Sequence, residues 1–395
     1  MTGDYKIPIS FVLEMDDVGW DDGRDLRLSG TASRSGLPRN HEVEDYEFIK
    51  KLADAAGKNI AVALVLGDWD KDNILRGEVG FTHDPYGWDR AKDIDIAKFE
   101  KIRDILDNGN LDFMVHGILH GRYDEDGKQI NENEFVLYTK DENGKIKKFL
   151  PSKEDFRHRL DVFFKLYNTW GFKQKIRGFV NPGYIYGIDE ETVKEMCSVL
   201  ADYGIKYWID AFGYPEFDKP VKVYHGVACA KYRFNRVKMP WDAYDFDPDE
   251  LSLYYEEGAN DNACIQGSHL TNYLRYNPKK NLENIEGWLR FYKRNSEVFG
   301  SMLADNLAEA VNQLFYYTFA KAEEEEGCVV FDLTEVEKNK LDCHKNEFFI
   351  SFRHGVEPVF CDGGKITLHE SKKEFNTYKI IHNSSYVKIN VTSVN

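Results

Sequence analysis

The sequence of 395 residues has no apolar run close to the roughly 20 residues that are needed to span a bilayer. It also has no surplus of basic residues, because 68 Asp and Glu outnumber 52 Lys and Arg and give a formal charge of −16. Nucleic acids and anionic membrane surfaces attract clustered Lys and Arg. These absences argue against membrane insertion and against a nucleic-acid partner.

Cysteine is sparse and shows no pairing pattern. The six cysteines are scattered and include no CxxC pair, which is typical of reduced, structural thiols. The first residues lead directly into an apolar run and show no basic-then-apolar leader. We therefore expect a cytoplasmic protein, or a secreted one if the natural chain carries a leader that this sequence does not include. The sequence does not indicate an oligomeric state.

Apolar, β-branched runs alternate with helical patterns along most of the chain, which is typical of βαβ units and a parallel sheet. The expected strands are 7–15, 59–66, 111–115, 175–180, 205–209 and one near 263–266; the expected helices are 43–56, 94–106, 153–170, 189–203 and 305–322. Counting gives about seven units, fewer than the eight of a full (β/α) barrel. The expected fold is therefore a distorted or incomplete (β/α) barrel of about seven strands.

The tail has a different pattern from the rest of the chain. The helix at 305–322 is expected to end at the acidic run and glycine Glu323–Gly327, which we interpret as a solvated boundary. The remainder consists of short strand-like segments and turns. We therefore expect a barrel domain over 1–326 and a small β-rich domain over 327–395.

Two pairs of candidate metal ligands follow apolar runs. His116 and His120 come directly after the run 111–115, and residues four apart share a face where the chain turns helical. The run 7–15 ends in Asp16-Asp17. Side chains at the C-terminal ends of barrel strands meet at one mouth. These complementary ligand types are therefore expected to converge on one metal ion.

These segments resemble the motifs of the polysaccharide deacetylase (NodB-homology) superfamily. Phe11–Gly19, with its paired Asp, resembles the first motif, and His116–His120 resembles the HxxxH second motif. Phe179–Tyr184 is similar to a looser form of the third motif, and Cys264–His269 stands where the fifth motif supplies a late His. The order and spacing agree with that family over roughly residues 5 to 300, and the tail lies outside the resemblance.

The resemblance implies a metal-dependent hydrolase that removes N-acetyl groups from a saccharide. Asp17, His116 and His120 would hold one divalent ion, expected to be Zn²⁺. Co²⁺, Ni²⁺ and Fe²⁺ are also compatible with mixed nitrogen and oxygen ligands. The ion would polarise the carbonyl oxygen and lower the pKa of an attacking water.

The resemblance also implies an acid and a base. By matching position, Asp16 is the base that takes the proton of the water, and His269 is the acid for the leaving amine. Asp210, at the end of the strand 205–209, is our candidate partner that keeps His269 protonated. A structural role for His269 and an unrelated role for Asp210 stay open. Three other histidines fall in polar stretches and are expected in surface loops: His41, His83 and His225.

One position departs from the family pattern. The family commonly has an Arg before the Pro-containing turn of the third motif, where it pairs with the base, but Val180 occupies that position here. Arg177 lies three residues earlier, so strand alternation points it to the opposite face. The Arg is either lost or supplied from elsewhere, with Arg39 and Arg236 as candidates.

Aromatic residues are frequent near the expected mouth. Sugars stack apolar CH faces on such rings, and the candidates for this role are Trp20, Trp69, Tyr184 and Trp241. The packing of long loops onto the barrel explains these residues equally well. Two polar insertions, 67–93 and 121–150, follow expected strands and should wall the mouth into a pocket for a short or terminal sugar. The acidic balance favours a neutral saccharide or a cationic amine product.

Two other functions stay open. One is a catalytically idle barrel that binds a glycan, with the missing Arg as the first lost part. The other is a hydrolase that cleaves another C–N bond or a glycosidic bond on a similar barrel, because function depends on the site and not on the fold. Retention of Asp16 and His269 favours catalysis.

Overall fold

The computed structural model describes residues 3–24, 34–140, 142–144, 146–183, 188–212, 216–234, 243–250 and 265–393. The strands are β1 (Tyr5–Lys6), β2 (Ile9–Val18), β3 (Ile60–Val65), β4 (Leu111–Gly117), β5 (Arg122–Tyr123), β6 (Gln129–Asn131), β7 (Leu137–Lys140), β8 (Ile146–Phe149), β9 (Gly178–Phe179), β10 (Tyr207–Asp210), β11 (Val221–Tyr224), β12 (Val227–Phe234), β13 (Ile265–His269), β14 (Ser301–Leu303), β15 (Lys321–Glu325), β16 (Cys328–Asp332), β17 (Glu347–Arg353), β18 (Val356–Asp362), β19 (Gly364–Ser371), β20 (Phe375–His382) and β21 (Tyr386–Ser393). The helices are α1 (Val43–Ala56), α2 (Arg90–Asp93), α3 (Ile96–Asp107), α4 (Lys153–Thr169), α5 (Glu190–Asp202), α6 (Leu270–Tyr273), α7 (Ile285–Ser296), α8 (Leu307–Phe319) and α9 (Thr334–Asn339).

Seven parallel strands close into a barrel. Their order around the ring is β2-β3-β4-β9-β10-β12-β13, and β13 pairs again with β2. An eighth strand, β11, adds to β12 in an antiparallel hairpin, and β14 pairs with the first part of β2. The prediction of a distorted (β/α) barrel of about seven strands is confirmed.

The barrel strands separate two apolar layers. On β2, Phe11 and Leu13 pack with the surrounding helices, whereas Val12 lies on the opposite face. There it clusters with Ala63 of β3 and Met114 of β4. Strand alternation produces these two faces. The inner face is packed in the manner of a barrel core, so polar groups meet at the C-terminal ends of the strands.

The main helices agree with their amphipathic patterns. Helices α1, α4 and α5 lie within one or two residues of the segments expected from the sequence. Ser152 and Asp189 cap α4 and α5, each accepting a hydrogen bond from a backbone N–H three residues later. Among the helices that the structure describes, none is both long enough and apolar enough to cross a membrane.

The C-terminal part forms two antiparallel sheets of four strands. Their orders are β1-β17-β20-β19 and β15-β16-β21-β18. Helix α8 connects them with the barrel, because Leu314 packs in one cluster with Val12 and Phe348. The start of α8 lies at the N-terminal end of the barrel, where the Leu307 N–H donates to Asp112 of β4 at 2.7 Å. The two sheets therefore lie at the end of the barrel opposite the C-terminal ends of its strands.

The acidic run after α8 is a strand and not the end of a helix. The helix ends at Phe319, and Lys321–Glu325 forms the exposed strand β15, which pairs with β16. The expected helical end of 305–322 was wrong, because cross-strand pairing accommodates the glutamates in solvent, whereas a helix C-terminus disfavours negative charge. Gly327, at φ 73°, lies in the hairpin turn. The domain limits 1–326 and 327–395 stay a prediction.

Candidate metal centre

Two β-bulges at the mouth of the barrel position the candidate ligands. Between Met15 and Val18, β2 has one residue more than the facing part of β3, and this step contains Asp16 and Asp17. Along β4 the extra residue is His116. Bulges re-aim side chains at the rims of barrels. Here they turn neighbouring side chains of two adjacent strands toward one point.

The backbone at these positions is strained. Asp17 has φ 63° and His120 has φ 48°, although neither residue is a glycine. This conformation costs about 1–3 kcal/mol at each such residue and persists only where the surroundings enforce it. Gly117, between the two histidines, has φ 152°, and a Cβ there would lie 1.9 Å from Glu134 Oε1. Asp17 and His120 are two of the five non-glycine residues with positive φ in the described part of the chain, and strain of this kind is common at functional sites.

Asp17, His116 and His120 form a compact buried cluster. Asp17 Oδ1 lies 3.7 Å from His116 Nε2 and 3.9 Å from His120 Nε2. The three ligand atoms all lie within 4.8 Å of one another. These distances are too long for hydrogen bonds. They are close to the ~3–4 Å that separates ligand atoms bound at about 2 Å from one ion.

The environment of Asp17 suits a bound cation. Burial tends to raise its pKa, but His120, His269 and His116 lower the pKa below its ordinary value. Asp17 Oδ1 is buried and receives no hydrogen bond from the residues that the structure describes. A buried carboxylate oxygen of this kind needs a partner. The donor set of one carboxylate and two imidazoles therefore fits a divalent ion.

His116 is oriented by the third-motif segment. Its Nδ1 lies 3.1 Å from the carbonyl oxygen of Val180, so Nδ1–H donates and Nε2 is directed to Asp17. Burial lowers the pKa of His116, and this effect exceeds the opposing effect of Asp16. The neutral imidazole is the form that binds metals.

Glu134, from the insertion 121–150, holds the loop between the two histidines. Its Oε1 accepts the backbone N–H of Ile118 at 2.6 Å, and the backbone of His120 also donates to it. Burial raises the pKa of Glu134 to about 6, although Arg159 and these donors oppose the shift. The sequence analysis missed this residue, because no spacing relates it to the HxxxH segment.

The structure brings Asp16 and His269 to the same cluster. His269 ends β13 directly opposite Asp16 of β2 in the parallel ladder. His269 Nε2 lies 3.8 Å from Asp17 Oδ2, and Asp16 Oδ1 lies 3.8 Å from His116 Nδ1. The candidate base and the candidate acid thus flank the three candidate ligands.

The carboxylate of Asp210, the expected partner of His269, accepts hydrogen bonds from other residues. Its carboxylate accepts hydrogen bonds from Asn181 Nδ2 at 3.0 Å, Trp208 Nε1 at 3.3 Å and the Ala211 N–H at 2.8 Å. Trp208 packs in the helix-facing core, and residues two apart on a strand share a face. Asp210 therefore lies on the helix-facing side of β10, and its pairing with His269 stays a prediction.

Of the two candidates for the missing Arg, Arg39 is engaged elsewhere. Arg39 forms a two-point ion pair with Asp45, with both contacts at 2.8 Å. Arg177 lines a cavity at the N-terminal end of the barrel together with Asp112. The second candidate, Arg236, lies outside the described residues.

Two of the four proposed stacking aromatics are core residues. Trp20 and Trp69 are each only 1% exposed, so neither offers a face to a bound sugar. The Trp69 indole donates to the Gly19 carbonyl oxygen at 2.8 Å, and the Trp20 indole lies beside Asp17 and helps to lower its pKa. The alternative interpretation, loop packing onto the barrel, holds for both. Tyr184 and Trp241 lie outside the described residues.

His41 belongs to a buried hydrogen-bond network. Ser35 Oγ lies 2.7 Å from His41 Nε2, and His41 Nδ1 lies 3.5 Å from Asp45 Oδ2. The arrangement has the residue types of a nucleophilic triad, but all three side chains are fully buried and cannot meet a substrate. The expected surface position of His41 was wrong. Thr271, two residues after His269, donates to the Ser35 carbonyl oxygen, so the network supports that segment.

Comparisons with known proteins give only distant similarity. No protein-family model matches the sequence, and no curated protein matches it. The 4-α-glucanotransferase of Thermococcus litoralis aligns with a TM-score of 0.39 and 11% identity, over 77% of this chain and 40% of that chain. A putative polysaccharide deacetylase of Mycobacterium smegmatis aligns with a TM-score of 0.33 and 13% identity, over 75% and 76% of the two chains. A GH57-type branching enzyme of Pyrococcus horikoshii aligns with a TM-score of 0.32 and 12% identity, over 78% of this chain and 65% of that chain.

Proposed function

We propose that the protein is a metal-dependent hydrolase that removes N-acetyl groups from a saccharide. The observation that carries this proposal is the buried cluster of Asp17, His116 and His120, whose ligand atoms lie within 4.8 Å of one another at the mouth of the barrel. The order of motifs along the sequence supports the same class of reaction. The fold alone would not, because one barrel supports many chemistries.

The three clustered side chains would hold one divalent ion, for which Zn²⁺ is our first candidate. When bound, such an ion polarises the amide carbonyl and lowers the pKa of a water molecule. His116 has a backbone partner that fixes its ring, and the loop that carries His120 is tied to Glu134. Supports of this kind set ligand orientation and metal affinity.

Asp16 and His269 would perform the proton transfers. Asp16 accepts a proton from the attacking water as the new C–O bond forms to the acetyl carbon. His269 donates a proton to the amide nitrogen as the C–N bond breaks, and the products are acetate and a free amino sugar. The two residues lie directly opposite each other on β2 and β13. Each can therefore reach the same reacting amide from its own strand.

Acetate release tests the proposal most directly. The protein is stripped with a chelator, reloaded with Zn²⁺, Co²⁺ or Ni²⁺, and incubated with N-acetylglucosamine oligosaccharides. We expect no acetate from the stripped protein and restored release after reloading. A loaded protein that binds metal in stoichiometric amount but releases no acetate from any N-acetylated sugar would overturn the proposal.

The departure at Val180 keeps two alternatives open. Arg39 is ion-paired with Asp45, and Arg236 lies outside the described residues. An idle barrel that binds a glycan would bind metal and sugar without turnover, and a hydrolase of another C–N or glycosidic bond would release a different product. Product analysis by mass spectrometry separates these outcomes.

A further inference from the structure

A buried carboxylate, that of Asp210, lies at the C-terminal end of β10. Among the described residues, its hydrogen-bond donors are all neutral: Asn181 Nδ2, Trp208 Nε1 and the Ala211 N–H. Burial raises the pKa of Asp210 to about 7. A carboxylate that is held in the interior by neutral donors costs stability, and such groups are common at functional sites. The surroundings of Asp210 therefore indicate a role other than packing.

Asn181 joins this carboxylate to the segment that orients His116. The Asn181 side-chain amide donates to Asp210 Oδ2 at 3.0 Å. The backbone N–H of Asn181 lies near the same carboxylate and opposes the rise in its pKa. Asn181 and Asp210 are both buried, so water does not compete for these contacts. The position of Asn181 is therefore tied to Asp210 through both its side chain and its backbone.

The peptide group between Val180 and Asn181 faces His116 with one end and Asp210 with the other. Its carbonyl oxygen, that of Val180, accepts the His116 Nδ1–H at 3.1 Å. Its N–H, that of Asn181, lies near the Asp210 carboxylate. The C=O and the N–H of a trans peptide point in opposite directions. Asp210 and His116 are therefore linked through a single peptide group.

The negative charge of Asp210 polarises this peptide group. A carboxylate at the N–H end increases the negative partial charge on the carbonyl oxygen, because polar groups in a chain of hydrogen bonds polarise one another. The Val180 oxygen then becomes a stronger acceptor, and the His116 ring becomes a more basic metal ligand. All four residues of this chain are buried, so solvent screens the effect only weakly.

We infer that Asp210 is a positioning residue of the candidate metal centre, which acts on His116 through the peptide group of Val180 and Asn181. The inference rests on the proposed function and adds to its site a charged group that touches none of the three candidate ligands. This role differs from the support of His269 that the sequence analysis expected. Asp210 supplies the charge, and Asn181 holds the peptide group in place.

Metal affinity tests the inference without turnover. Zn²⁺ is titrated into the metal-stripped protein in competition with a chelating indicator, for the wild-type protein, Asp210→Asn and Asn181→Ala. Asp210→Asn keeps one acceptor oxygen but removes the charge, and Asn181→Ala removes the side-chain donor. We expect each variant to bind Zn²⁺ about 10-fold more weakly, the low end of the loss that follows removal of a direct partner of a metal ligand. Unchanged affinity in both variants would overturn the inference, and Asn181→Ala decides alone if Asp210→Asn does not fold.

The matched control is Asp112→Asn. Asp112 lies on β4, the strand that carries His116, and its carboxylate also accepts a backbone N–H and a side-chain amide, from Leu307 and Asn59. Burial raises the pKa of Asp112 as well. Because Asp112 lies at the N-terminal end of the barrel, Asp112→Asn should keep the wild-type affinity for Zn²⁺. An equal loss in Asp112→Asn would assign the effect to a general loosening of the barrel and would contradict the inference.

Two further measurements separate the link through the peptide group from a purely structural effect. The double variant of Asp210→Asn and Asn181→Ala should lose no more affinity than either single variant, because both changes break one path. In the metal-free protein, Asp210→Asn should shift the ¹⁵N signal of His116 Nδ1, and the signals of the exposed His158 should stay unchanged. Additive losses of affinity, or an unchanged His116 signal in folded Asp210→Asn, would overturn the inference.

The two proposals fail in different ways. If Asp210→Asn and Asn181→Ala lose affinity for Zn²⁺ but the loaded wild-type protein releases no acetate, the positioning role stands and the deacetylase assignment falls. If acetate is released but both variants bind Zn²⁺ like the wild-type protein, the deacetylase assignment stands and the positioning role falls.

Discussion

The Nδ1 of His116 donates a hydrogen bond to the carbonyl oxygen of Val180 across 3.1 Å. Val180 stands where the resembled family commonly has an Arg beside the base. At this position the chain offers a backbone acceptor that orients a candidate metal ligand. Backbone carbonyls are common partners of metal-bound histidines. The third-motif segment therefore supports the candidate metal centre here.

We expect His116→Ala and His120→Ala to lose the bound divalent ion, because each removes one of three candidate protein ligands. Elemental analysis of the purified variants after dialysis measures the loss. The matched control is His158→Ala, which removes an exposed histidine that is paired with Glu78 at 2.7 Å. Full metal content in both site variants would place the ion elsewhere.

We expect Asp16→Asn to keep the metal and lose turnover, and His269→Ala to lose turnover with a changed pH–rate profile. Loss of a general acid or base costs roughly 10²–10⁴ in rate. Initial rates of acetate release over a pH series, with metal content measured on the same samples, check both effects. Activity of Asp16→Asn equal to that of the wild-type protein would show that another residue is the base.

Gly117→Ala should lower metal affinity, because the added Cβ would lie 1.9 Å from Glu134 Oε1 and would displace the carboxylate that holds the HxxxH loop. Loss of such a supporting contact costs about 10- to 100-fold in metal affinity. Competition with a chelating indicator measures it. The control is Gly204→Ala, where φ is also positive at 76° but no atom lies within 4 Å of the added Cβ. Equal metal affinity in the two variants would contradict the role of Glu134.

The free energy of unfolding should fall as the pH rises from about 4 to 7, because the buried Asp210 carboxyl loses its proton. Burial raises the pKa of Asp210 to about 7, whereas the unfolded chain releases this proton near the ordinary value of 3.8. Between these values the folded state binds more protons, so the free energy of unfolding falls with rising pH, by an amount on the order of 4 kcal/mol. Urea unfolding at pH 4.5, 6 and 7.5 should show a flatter dependence in Asp210→Asn. The exposed control Asp72→Asn should keep the natural slope, and an equally steep slope in Asp210→Asn would assign the effect to other groups.

Short substrates should react faster than polymers. The insertions 67–93 and 121–150 follow barrel strands and are expected to wall the mouth into a pocket, which favours a short or terminal sugar over the middle of a chain. Initial rates on small N-acetylated oligosaccharides are compared with rates on chitin-like and peptidoglycan polymers at equal acetyl concentration. A clear preference for a polymer would indicate an open groove.

The strands and helices of the barrel could be predicted from the sequence where the apolar residues have a clear period. The expected strand 111–115 and helix 43–56 agree closely with β4 and α1, because buried strands and amphipathic helices have distinct apolar periods. The run Glu323–Glu326 has no apolar period, so its state depends on pairing with β16. Pairing with a distant strand determines the secondary structure of such a segment, and the local sequence does not reveal that pairing.

The candidate ligands were also predictable, but their surroundings were not. Asp17 and His120 stand at strand ends, where barrel topology brings side chains together. Glu134 reaches the site only because the insertion 121–150 folds back onto the mouth. The burial of Trp69 against Phe99 and Trp170 could not be predicted either, because a tryptophan that follows a strand can line the mouth of the barrel or pack in the core.

Helix α8 and the two C-terminal sheets cover the barrel at the end away from the candidate metal centre, and the interior between is filled. Within the described residues, the C-terminal ends of the barrel strands are therefore the end that these elements leave uncovered. A sugar that enters, the acetate that is cut from it and the amino sugar that remains would all pass through the same opening in turn. Under the proposed function, added acetate should therefore slow steady-state turnover when it rebinds at this end of the barrel.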